Sequence, residues 1–265
     1  CNTKLKFARL VTVAEQVGAD SVATGHYARV SYDEESKRFI LRKGRDESKD
    51  QSYFLFEMTQ KQLARAVFPL GEMTKPEVRA VARRLGLDTA DKPESQEICF
   101  VPDGNYSRFV EDYAKHEMGR DIDEDGLAPG AIATTDGVVV GEHAGLHRYT
   151  VGQRRGIGVA SGEPLYVVKI DVPSNRLVVG SRADLYSDSF VAKGVNWISI
   201  EPPDEPVRAN VKIRYRAADA AARITRTGTA EVHVEFDTPQ AAITPGQAAV
   251  FYDGDAVVGG GWIER

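Results

Sequence analysis

The chain has 265 residues, of which 42% are hydrophobic and 28% charged, and its net charge at neutral pH is −5. That composition excludes a fibrous or low-complexity protein and leaves room for one large domain or two to three smaller ones, each with a core. Two cysteines are too few for a disulfide-stapled scaffold, and no stretch approaches the roughly 20 apolar residues that cross a bilayer.

Leu5, Phe7, Leu10, Val11, Ala14 and Val17 recur at helical spacing and stop at Gly18, which predicts a helix over 5–17. Residues 20–27 then read as a short strand running into a glycine turn. Helix, strand and polar turn in this order belong to an α/β sheet, whose ligands sit at the carboxyl ends of strands. Residues 38–42 and the stretch before Asp46 read as a hairpin excursion, and a helix is predicted over 60–67. Thr74-Lys75-Pro76-Glu77 is a capping box that opens a helix over 78–85, closed by Gly86.

A short helix over 109–116 leads into a different composition. Past the loop at 126–130, strands at 138–140, 166–170 and 177–179 alternate with Gly, Asp-Gly and Asn turns. Further strands at 190–191, 211–215, 230–236, 248–252 and 257–263 predict a small antiparallel barrel. Strand alternation would set Lys212, Arg214 and Arg216 on one face and Ile213 and Tyr215 on the other. Net acidity does not exclude a nucleic-acid partner, since a local basic patch suffices.

Each thiol lies in a compact run. One opens Cys1-Asn2-Thr3-Lys4-Leu5-Lys6-Phe7, and the other closes Lys92-Pro93-Glu94-Ser95-Gln96-Glu97-Ile98-Cys99-Phe100. Two thiols can take up, pass on and release a sulfur atom, and Lys4 and Lys6 favour the thiolate of the first. On local sequence, Cys99 between Ile98 and Phe100 reads equally well as a small buried hydrophobe. No metal site is expected, because there is no CxxC pair and the five histidines are scattered. Sparse cysteine and the lack of an apolar leader point to a reducing cytoplasm. An N-terminal Cys1 in place of Met reads as truncation or partial coverage, whereas 257–263 reads as a finished strand.

Further runs carry a resemblance. They are Ala23-Thr24-Gly25-His26-Tyr27-Ala28-Arg29, Lys49-Asp50-Gln51-Ser52-Tyr53-Phe54-Leu55, Ser95-Gln96-Glu97-Ile98-Cys99-Phe100, Gly152-Gln153-Arg154-Arg155-Gly156 and Thr244-Pro245-Gly246-Gln247. Together with the run at Cys1, and in this order, they resemble the C-terminal portion of a bacterial-type tRNA-specific 2-thiouridylase. The resemblance spans essentially the whole chain. It implies an incomplete adenine-nucleotide alpha-hydrolase-like, Rossmann-type α/β domain at 1–106, a small mostly-β domain at 107–183 and a tRNA-binding antiparallel β-barrel at 184–265.

The resemblance also implies an activity: ATP-dependent 2-thiolation of the wobble uridine of tRNA through an adenylated intermediate. By similarity Cys99 carries the persulfide and Cys1 is the nucleophile that resolves it, with a disulfide forming between them. Gly25 would contact ATP, used with Mg²⁺. His26, Lys49, Asp50, Gln51, Arg214, Tyr215 and Gln247 would contact tRNA, and His147, Arg148, Gln153, Arg154 and Arg155 form a second basic cluster. Implied partners are the tRNAs for lysine, glutamate and glutamine and a cysteine desulfurase or sulfur-relay protein, with the protein itself a monomer.

The family's Gly-rich Ser-Gly-Gly-Val-Asp-Ser-type loop is absent here, and so is the small acidic motif before its first cysteine. Gly259-Gly260-Gly261 is the nearest compositional echo, but no helix follows it. As a free polypeptide the chain is therefore expected not to adenylate tRNA. Two other readings stay open: a tRNA-binding fragment without catalysis, and a small-molecule ligase of the same ATP-pyrophosphatase superfamily, which would have no need of two thiols.

Overall fold

The computed structural model of the chain describes residues 6–92, 101, 104–116 and 126–264. The first helix, α1 (Ala8–Val17), turns Val11 and Ala14 inward and ends where Gly18 adopts φ +71°. It is followed by β1 (Val22–Ala23) and by an antiparallel hairpin, β2 (Ala28–Asp33) and β3 (Arg38–Lys43), which is the predicted excursion. A one-turn 3₁₀ helix, Ser52–Leu55, comes next.

The helix expected over 60–67 is shorter than its apolar pattern suggested. Only α2 (Gln60–Leu63) forms, and the chain then extends into β4 (Ala66–Val67), which pairs in parallel with β1. The competing gain is a sheet partner for β1, with Val22 and Ala66 buried. The capping box at the start of α3 (Lys75–Arg84) forms as expected, with the Thr74 N–H donating to Glu77 Oε2 at 2.7 Å. The fourth helix, α4, is Tyr106–His116.

The remaining strands are β5 (Gly130–Thr134), β6 (Val139–His143), β7 (Tyr166–Asp171), β8 (Arg176–Gly180), β9 (Tyr186–Trp197), β10 (Val207–Lys212), β11 (Ala220–Arg226), β12 (Glu231–Ala241), β13 (Ala248–Asp253) and β14 (Ala256–Glu264). The chain divides into two units, one comprising 1–92, 188–239 and 244–265, the other 93–187 and 240–243.

In the second unit, β6-β5-β8-β7 form a four-stranded mixed sheet in which β5 and β8 run parallel. Ile132, Leu146, Ile157, Val167, Leu177 and Val179 make its core. In the first unit, β13-β10-β11-β12-β9-β14 close into a six-stranded antiparallel barrel through the β13–β14 pairing. The barrel does not stand alone there. The β2–β3 hairpin extends its sheet through the pairing of Arg42 with Ala256 on β14. One core then mixes Phe7, Leu41, Leu55, Met58 and Leu63 with the barrel residues Ile198, Val250, Tyr252 and Val257. Arg38 fastens the seam, donating to the carbonyls of Ile198 (2.8 Å) and Trp197 (3.1 Å).

Two sequence-level readings are settled by this packing. Glycines 259–261 lie inside β14, and a Cβ on Gly260 would come within 2.7 Å of the Phe56 ring and 2.8 Å of the Ala249 carbonyl oxygen. They are glycine because neighbouring segments of the protein press on them. The expected strand over 211–215 stops at Lys212, and residues 213–217 form a turn. The cations at 212, 214 and 216 therefore do not share a strand face. A turn replaces the alternation because β10 must reverse into β11 to keep the barrel closed.

Candidate functional site

Gly25 and His26 follow the carboxyl end of β1, the position where α/β sheets receive ligands. At Gly25 an added Cβ would meet only Leu70 Cδ1, at an ordinary 3.6 Å, and the backbone φ is not left-handed. Protein packing thus gives no reason for glycine there, whereas close approach of a ligand would.

His26 is half-buried, its ring lying against Phe7 (5.6 Å between centroids) and Phe68 (5.9 Å). Its Nδ1 sits 2.7 Å from the Thr24 hydroxyl. Burial, and after it the cation of Lys6, lowers its pKa, so the ring is neutral at neutral pH.

Residues 49–51 are clamped to that segment. Gln51 donates its N–H to the Tyr27 carbonyl at 2.9 Å, and its Oε1 accepts from the Tyr27 N–H at 3.0 Å. The Asp50 carboxylate is buried and accepts from the N–H groups of Gly44 (3.0 Å) and Ser52 (3.1 Å) and from the Ser52 hydroxyl (2.8 Å). Asp50 and Gln51 therefore set the shape of the loop that presents Lys49.

The 3₁₀ helix carries the connection on to the barrel. Ser52 Oγ lies 3.1 Å from the Tyr252 hydroxyl on β13. The Tyr53 hydroxyl donates to the Ala248 carbonyl at 2.8 Å, next to Gln247 in an exposed turn. Burial pushes the Tyr53 hydroxyl up to about 12, with the charge of Arg214 pulling the other way.

Arg214 and Tyr215 occupy the turn after β10. The Tyr215 ring lies 4.5 Å from that of Phe54 and 6.1 Å from that of Tyr53, with Lys212 Nζ 5.7 Å from its centroid. Lys43 pairs with Asp219 at 3.0 Å and lies over the Tyr252 ring. Three runs far apart in sequence, at 25–27, 49–55 and 214–215, are thus linked contact by contact within one unit, and Gln247 adjoins the residue that accepts from Tyr53. Sequence reasoning passed over Phe54. An aromatic among apolar neighbours reads as core, and only its exposure, 44%, separates it from Tyr53 and Leu55.

The residues of the second basic cluster have different surroundings. Glu111 on α4 lies 2.8 Å from His147 Nε2 and accepts from Arg148 at 2.5 Å. Gln153 is held by the Thr150 N–H and the Arg155 carbonyl. Arg154 and Arg155 remain exposed. Among the described residues no three His, Cys, Asp or Glu side chains gather as a metal site. No helix among them is long and apolar enough to cross a membrane. Cys1 and Cys99 lie outside the described residues.

Comparison with known proteins fits this layout. Residues 1–103 match the family model for a tRNA methyl transferase HUP domain, 109–181 that for a tRNA methyl transferase PRC-barrel domain, and 187–263 that for an aminomethyltransferase beta-barrel domain. The chain thus falls in a class built from a HUP domain, a PRC-barrel-like middle and a C-terminal β-barrel.

Within that class, the chain is 54% identical to the tRNA-specific 2-thiouridylase MnmA of Solibacter usitatus, over 100% of this chain and 71% of that protein. It is 51% identical to that of Acidobacterium capsulatum (99% and 70%) and 48% identical to that of Koribacter versatilis (99% and 70%). The chain belongs to the tRNA-specific 2-thiouridylase family, a family of transferases.

Proposed function

We propose that the chain carries the RNA-gripping and sulfur-transferring portion of an enzyme that thiolates C2 of the wobble uridine in tRNA. The observation that carries this reading is the linkage by contacts of 25–27, 49–55 and 214–215 in the first unit, with Tyr53 bonded beside Gln247. The three parts at 1–106, 107–183 and 184–265 would supply catalysis, a spacer and the RNA grip.

ATP, with Mg²⁺, is the co-substrate that converts the C2 oxygen into a leaving group, and Gly25 offers it an open backbone face. His26 and Lys49 meet the RNA beside it, on a loop held in shape by Asp50 and Gln51. The persulfide sulfur on Cys99 attacks C2 and AMP leaves. The Cys1 thiolate then attacks Cys99 Sγ, forming a disulfide and releasing the new sulfur on the base. A reductant restores both thiols, and a cysteine desulfurase or relay protein reloads Cys99. Arg214 and Tyr215 suit backbone contact and stacking on an unpaired base, and Gln247 suits a base or ribose edge. The substrates are the tRNAs for lysine, glutamate and glutamine, and the protein works as a cytoplasmic monomer.

The test incubates full-length protein with ATP, Mg²⁺, a sulfur source and tRNA and measures 2-thiouridine by mass spectrometry. Product from wild type and none from Cys1→Ser or Cys99→Ser is expected. Full activity in either variant would overturn the two-thiol scheme.

A further inference from the structure

We infer that Phe54 is a base-stacking residue: with Tyr215 it forms an aromatic floor on which one unpaired nucleobase of the bound RNA lies. The inference rests on the tRNA-thiolation reading and adds to it a contact residue on the same surface.

Three observations lead here. The first is the exposure of Phe54. In the 3₁₀ helix Ser52–Leu55 the other three side chains are buried, Leu55 completely, whereas Phe54 is 44% exposed. A single exposed aromatic is ordinary on a protein surface and proves nothing alone.

The second is its company. Rings of Tyr53, Phe54 and Tyr215 touch pairwise, at 5.4, 4.5 and 6.1 Å between centroids, and the Tyr53 ring meets Phe54 edge-on at 87°. Tyr53 is itself anchored by its bond to the Ala248 carbonyl. A rigid ring with few rotamers loses little entropy when a second ring settles on it.

The third is charge. Lys212 lies over the Tyr215 ring, and neither Lys212 nor Arg216 has an ion-pair partner among the described residues. Asp219, the next acid along the chain, is matched by Lys43. Uncompensated cations around an aromatic floor fit a polyanion that also presents flat bases, which is single-stranded RNA. An apolar protein partner would have no use for the cations.

The experiment titrates a labelled anticodon stem-loop RNA with full-chain wild type, Phe54→Ala, Phe54→Tyr and Lys212→Ala at several salt concentrations. Base stacking on an aromatic contributes about 1–3 kcal/mol. Phe54→Ala should therefore weaken binding roughly 5- to 150-fold, while Phe54→Tyr stays near wild type. The salt dependence of Phe54→Ala should match wild type, because no charge is lost, whereas Lys212→Ala should shallow the slope by roughly 0.7 to 0.9.

A second arm replaces the unpaired loop bases one at a time by abasic sugars. At one position the loss should be shared with Phe54→Ala rather than added to it, a coupling that a merely structural role would not give. Wild-type binding with unchanged affinity for Phe54→Ala would overturn this inference and leave the functional reading standing. Failure of wild type to bind the RNA would overturn both. Thermal unfolding of each variant separates lost contact from lost fold.

Discussion

His26 and Gly25 are neighbours with opposite reasons for being what they are. The histidine is held by its surroundings, between two phenylalanine rings and against a threonine hydroxyl. Its pKa is lowered in the folded chain, from an ordinary 6.5. As pH falls the unfolded chain takes up this proton first, so the stability owed to the neutral ring is present above 6.5 and lost below it. Urea unfolding of wild type should therefore fall off more steeply between pH 7.5 and 5.5 than that of His26→Gln. Parallel slopes would remove the burial argument. Gly25 has room around it, so Gly25→Ala should leave the melting temperature unchanged. Overpacking by one methyl costs about 1–3 kcal/mol, so ATP should bind the full-length variant roughly 5- to 150-fold more weakly. Unaltered ATP affinity would sever this glycine from the nucleotide.

Local rules carried the elements only as far as local forces decide them. The capping box at Thr74 and the stop at Gly86 could be read directly, because cap hydrogen bonds close within a few residues. The strands at 166–170 and 248–252 followed from β-branched and aromatic runs between turns. Helix 60–67 failed because β1 and β4 needed each other, and strand 211–215 failed because the barrel needed a reversal. The candidate site was legible as residues through the family resemblance, but not as a surface, since nothing local ties Gln51 to Tyr27 or Phe54 to Tyr215. Glycines 259–261 show the same limit, being a compositional motif whose cause is tertiary. Gly260→Ala should destabilise the protein by roughly 1–3 kcal/mol or more, as its Cβ faces backbone and a buried ring. A wild-type midpoint in urea would mean that β14 yields more easily than its packing suggests.

At the scale of the whole molecule, the α/β segment and the barrel of the first unit share one core, although 95 residues, 93–187, separate them in the chain. Leu41 is fully buried in that core on the hairpin side, and the two tryptophans, Trp197 and Trp262, lie on barrel strands. Leu41→Ala should cost about 2–5 kcal/mol and lower the unfolding midpoint seen by tryptophan fluorescence. A fluorescence midpoint that stays put would show that the barrel unfolds independently.

In the same unit residues 25–27 and 49–55 are linked by contacts to 214–215, and the proposed thiolation depends on these residues meeting one uridine. The most direct measurement places a photo-crosslinkable uridine at the wobble position of tRNA, irradiates the complex with full-length protein and maps the attached peptides by mass spectrometry. Attachment within 24–29, 49–55 and 212–216 is the expected result. Attachment confined to α4 and the sheet of the second unit would contradict it.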